Sequence, residues 1–63
     1  MQEINLQKIK LVETLVNFYL SKDKESDKFY KSEIVWFATG LTMNEFEACK
    51  SVAEDLYNKE VSK

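Results

Sequence analysis

A chain of 63 residues with one cysteine, Cys49, and no histidine can build neither an intrachain disulfide nor an ordinary Cys/His zinc site. A domain of this size buries only about 60% of the surface its unfolded chain exposes, so oligomerisation is the remaining source of added stability. The formal charge is −2, from nine basic residues, all lysine, against eleven carboxylates, and without arginine the chain lacks the bidentate fork that grips phosphates and guanine edges, which disfavours nucleic acid as a partner.

The hydrophobic content of 44% argues for a packed core and against disorder, while one glycine and no proline leave little punctuation for strands and hairpins. The expected architecture is therefore all-α and a single domain: three helices over about residues 3–21, 28–39 and 43–59, with a short turn at Gly40, completed by dimerisation.

The first helix is greasy around most of its circumference. At about 100° per residue, Phe18, Leu11, Ile4, Leu15, Tyr19, Val12, Val16, Ile9, Leu20 and Leu6 fan out over roughly 240°. Glu3, Gln7, Lys10, Thr14, Asn17 and Ser21 form the polar remainder. A surface helix needs an apolar stripe of little over about 100°, so this one is expected to sit between its own chain and a partner. Two strips share the surplus. Ile4, Leu11, Leu15 and Phe18 make one, and Leu6, Ile9, Val16 and Leu20, which border the polar face, make the one assigned to the partner.

Residues 22–27 carry no apolar side chain and read as a loop, with Ser26 or Asp27 capping the second helix. That helix is aromatic on two faces. Tyr30, Ile34 and Phe37 share one, and Phe29 and Trp36, seven apart, share the other; aromatics are enriched as interface anchors, so Phe29 and Trp36 join the expected partner surface. Gly40 then stands where a helix ends in the left-handed conformation. Thr42 and Glu45 match a capping box, with Leu41 and Phe46 spaced as a hydrophobic staple. The third helix is an ordinary amphipathic one, with Phe46, Cys49, Val52, Ala53, Leu56 and Tyr57 on a single inward face.

No catalytic constellation emerges. Cys49 lies on an apolar face without a histidine to activate it, and neighbouring carboxylates such as Glu45 and Glu47 do not face each other on a helix. No enzyme activity, metal, cofactor or small-molecule substrate is expected. The stretch around Gly40 has some likeness to a helix-turn-helix, but Trp36 stands where that motif needs a small residue, and Asn44, Glu45 and Glu47 would open the recognition helix. The N-terminal residues lack the basic and apolar regions of a signal peptide, and the longest apolar run, residues 34–38, is far too short for a bilayer, so a cytoplasmic location is expected. The reading that results is a small regulatory or adaptor protein of bacterial or phage origin, partnering itself as a homodimer and a second protein. A helix-turn-helix transcriptional regulator and a structural assembly component are the alternatives.

Overall fold

The computed structural model describes residues 2–62, with side chains from Leu6 onward; Glu3 and Ile4, placed above in the polar face and the inner strip of the first helix, therefore lie outside the described side chains. Three helices follow one another: α1 (Gln2–Leu20), α2 (Lys24–Ala38) and α3 (Met43–Val61). The all-α, three-helix expectation holds, and no helix among the described residues is long and apolar enough to cross a membrane.

One helix organises the other two. α1 packs against both α2 and α3, while α2 and α3 make only marginal contact with each other. Two consecutive pairs on α1 set this arrangement. Near its start, Gln7 Nε2 donates to the carbonyls of Phe37 and, at 2.8 Å, Thr39 at the end of α2, while Lys8 Nζ lies 3.2 Å from Glu45 Oε2 in the first turn of α3. Near its end, the Phe18 ring lies 6.0 Å from Lys31 Nζ of α2, and the Tyr19 ring meets Tyr57 of α3 edge-on at 5.7 Å. Adjacent residues on a helix project about 100° apart, so each pair sends one side chain to each neighbour. α2 consequently runs antiparallel to α1, and α3 parallel to it.

Between the two neighbours lies the core. Leu11 and Leu15 from α1 and Cys49 and Ala53 from α3 are buried, with Ile34, Phe37 and Ala38 of α2, Leu41 of the junction and Phe46 of α3 packed against them. Ala53, fully buried, lets α1 and α3 approach closely. The inner strip of α1 is thus the one containing Leu11 and Leu15.

Three local expectations need correction. The α1 polar face is not uniformly solvated: Thr14 is 8% exposed, and Gln7 is half-buried. Each has its polar group satisfied by a carbonyl, Thr14 through a 2.8 Å bond from its hydroxyl to the Lys10 carbonyl, so α2 can pack over them without leaving an unpaired donor. The second helix starts four residues earlier than expected, and its cap is Asp23, not Ser26 or Asp27. Asp23 is extended and its carboxylate accepts from the Glu25 amide at 3.3 Å and the Ser26 hydroxyl at 3.2 Å; Glu25 and Asp27 then sit favourably at the positive end of the helix dipole. The third correction concerns α3, whose apolar residues do not share one buried face: Val52 and Leu56 are exposed.

The α2–α3 junction follows the sequence closely. Gly40 has φ +89° with open space where a Cβ would be, so glycine is required there by backbone conformation and not by crowding. The Thr42 amide donates to Glu45 Oε1 at 2.9 Å, and the Glu45 amide donates to Thr42 Oγ1 at 3.1 Å, completing the capping box. Replacing Thr42 by alanine should cost about 1 kcal/mol, lowering the melting temperature by about 4–8 °C in a thermal scan. Leu11→Ala, which hollows the core where all three helices meet, should cost about 2–5 kcal/mol in urea unfolding.

Candidate functional site

Solvent meets an unusual amount of hydrocarbon on this small protein. Trp36 is 71% exposed, Phe29 60%, Ile9 57% and Leu6 55%, and Val35, Met43, Val52, Leu56, Val61 and Leu20 are exposed as well. Scattered apolar residues are normal on a surface, whereas contiguous ones mark contact sites. Two shallow grooves gather five of them, Leu6 with Trp36 in one and Ile9 with Val52 and Leu56 in the other.

The first groove runs between α1 and the end of α2, about 470 Å³ in volume, lined by Leu6, Gln7, Lys10, Trp36, Phe37 and Thr39. Its floor is held by the bonds from Gln7 to the Phe37 and Thr39 carbonyls, so the wall carrying Trp36 is fixed relative to Leu6. The second lies on the other flank of α1, about 420 Å³, where Ile9 and Val12 face Ala48, Cys49, Val52 and Leu56 of α3, with Lys8 and Glu13 at the rim. Leu6 and Ile9 are about 60° apart on the helix, so the outward ridge of α1 separates the two grooves.

Of the six residues expected at a partner surface, Leu6, Ile9, Leu20, Phe29 and Trp36 are exposed, and Val16 is half-buried against the core. Leu6 and Trp36 line one groove together, whereas Ile9 belongs to the other. Val52 and Leu56, expected inside, are exposed and line the second groove. Their signal was available in the width of the α3 apolar face, broader than contact with one helix needs.

Two side chains between α1 and α3, Cys49 and Tyr19, have ionisation shifted by their surroundings. Burial raises the Cys49 thiol above its ordinary value, with Lys8 opposing weakly, so the neutral form is favoured and the residue serves as a small buried hydrophobe. Tyr19 is likewise raised, by burial and then by Glu54, and its ring is occupied by the contact with Tyr57. Among the described residues no group of three His, Cys, Asp or Glu side chains is placed to hold a metal ion. Around the junction, Trp36 points outward and α2 barely touches α3, so the two helices do not form the packed pair on which a helix-turn-helix depends. The bulky Trp36 is tolerated before Gly40 for that same reason.

No family model, curated protein or solved structure matches this chain.

Glu45 ties the N-terminus of α3 to α1 while it caps α3. Its carboxyl is held below the ordinary value, first by the Thr42 amide and then by Lys8. A depressed carboxylate contributes stability that is present above the ordinary glutamate value and is lost as pH falls through the lowered one. The melting temperatures of the wild type and Glu45→Gln should therefore differ at neutral pH and converge on acidification below about pH 4, the ordinary glutamate range. A difference that stays constant across that range would show that Glu45 contributes nothing as a charge.

Proposed function

We propose that this chain is a small non-enzymatic regulatory or adaptor protein that acts by protein–protein contact and is itself a homodimer. The observation that carries the reading is the exposed, groove-forming hydrocarbon around α1, above all a tryptophan with most of its surface in water. Tryptophan is the costliest side chain to leave solvated and the most enriched among residues that dominate binding energy. A rigid wall behind it lowers the ordering cost of association, because the Gln7 bonds already hold the end of α2 in place.

The arrangement of charge supports the same reading. Lys8, Lys10 and Glu13 share the lining of the grooves with surface that is mainly apolar, a mixture of apolar centre and polar border like that found at protein interfaces. Sedimentation equilibrium at micromolar concentration should return a mass above the 7.4 kDa of one chain. Tryptophan fluorescence should shift to the blue with rising concentration, because Trp36 is the sole tryptophan. A mass of one chain throughout, with unshifted emission, would remove the homodimer from this reading.

A further inference from the structure

The outward ridge of α1 has an internal order that its exposure alone does not explain. Leu6, Ile9, Glu13, Val16 and Leu20 follow one another at steps of three and four, the spacing of a coiled-coil seam, and at about 100° per residue they stay within roughly 80° of the helix circumference. Leu6, Ile9, Glu13 and Leu20 are exposed, with Val16 at the inner edge. The seam is apolar except at its centre, where Glu13 stands. Lys10 is three residues away and also exposed.

We infer that the part of this seam from Leu6 to Val16 pairs with the same part of a second copy, the two α1 helices running antiparallel about a two-fold axis near the middle of the helix. The inference rests on the homodimer reading above and specifies its surface and direction. Two observations carry it. The first is exposure: Leu6 and Ile9 on the seam are 55% and 57% exposed, apolar surface that a contact between two copies would remove from water.

The second is charge complementarity. In the antiparallel register that sets Leu6 opposite Val16 of the second copy, Ile9 falls opposite Glu13 and Lys10 lies one step along from the same carboxylate. Two symmetric Lys10–Glu13 pairs then flank the axis, and the aliphatic stem of Glu13 covers Ile9. A parallel pairing in register sets Glu13 against its own copy, two like charges at the centre of the seam, which is unfavourable. A two-fold antiparallel contact uses one patch on both copies and closes on itself, so it ends at the dimer. Trp36, in the groove adjoining Leu6, brings α2 to the edge of the same contact.

Charge reversal tests the direction. Sedimentation equilibrium would compare the wild type, Glu13→Lys, and the double variant Lys10→Glu with Glu13→Lys, with circular dichroism confirming that each exposed-site variant folds. Glu13→Lys should weaken dimerisation by about tenfold or more, by placing lysine against lysine, and the double variant should recover most of that loss. A wild-type dimer unmoved by Glu13→Lys would place the interface elsewhere and overturn this inference while leaving the homodimer standing. Loss without recovery in the double variant would overturn the antiparallel pairing. A wild type that stays monomeric, or that sheds its self-association for a different protein on the seam, would overturn this inference and the homodimer together.

Discussion

Everything in this fold depends on α1 serving two neighbours that do not support each other. Consecutive residues divide between them at both ends, Gln7 and Phe18 toward α2, Lys8 and Tyr19 toward α3. The 100° step between adjacent residues therefore sets the angle between the two neighbours. In a bundle whose helices all touch, loss of one contact is shared among the rest. Here α2 and α3 reach the core chiefly through α1, and the buried cluster of Leu11, Leu15, Cys49 and Ala53 is the seam along which α3 is attached. The short junction at Gly40 and the Thr42–Glu45 box fix where α3 begins, and the Lys8–Glu45 pair then holds that point against α1.

This division also explains why the breadth of apolar surface on α1 has more than one cause. Part of the roughly 240° sector is taken up inside the chain, because two neighbours on adjacent sides of a helix need a wider stripe than one. What remains outside is narrower and has its own order, running from Leu6 through Ile9 and Glu13 to Leu20. Attributing the whole sector to an external partner overstates the case. Attributing it all to the fold leaves Leu6 and Ile9 more than half exposed without a reason.

How far residues alone could be read is clearest at particular positions. Gly40, Thr42 and Glu45 were legible because each makes a local bond or adopts a backbone conformation that only a few residue types support. Helical spacing separates Leu11 and Leu15 from Leu6 and Ile9, and Phe29 and Trp36 from Tyr30, Ile34 and Phe37, but does not by itself decide which face turns inward. The Asp23 cap is not legible from apolar periodicity, which begins only with Phe29, whereas lysine and glutamate propagate α2 well enough from Lys24 with no apolar contact. Polarity alone places Thr14 and Gln7 in water, but a hydroxyl bonded back to its own helix and an amide bonded to a helix end are both compatible with burial. Val52 and Leu56 read as core on a helical wheel, which shows which side chains are apolar and not how many neighbours are present to cover them.

A core this small gives association a direct bearing on folding. Only four apolar side chains among the described residues are buried, so the stability of one chain is drawn from a short list of contacts. Anything that binds the folded form and not the unfolded one adds stability that grows with its concentration, and for a self-associating chain that quantity is the concentration of the protein itself. The proposed seam on α1 lies on the helix that holds the other two, back to back with Leu11 and Leu15, so a contact there would restrain the element on which both neighbours depend. Glu13 limits that contact by placing a charge at its centre, and leucine there would be expected to favour tighter and less selective pairing. The same helix would then set two quantities at once: how firmly the chain folds and at what concentration it meets its copy.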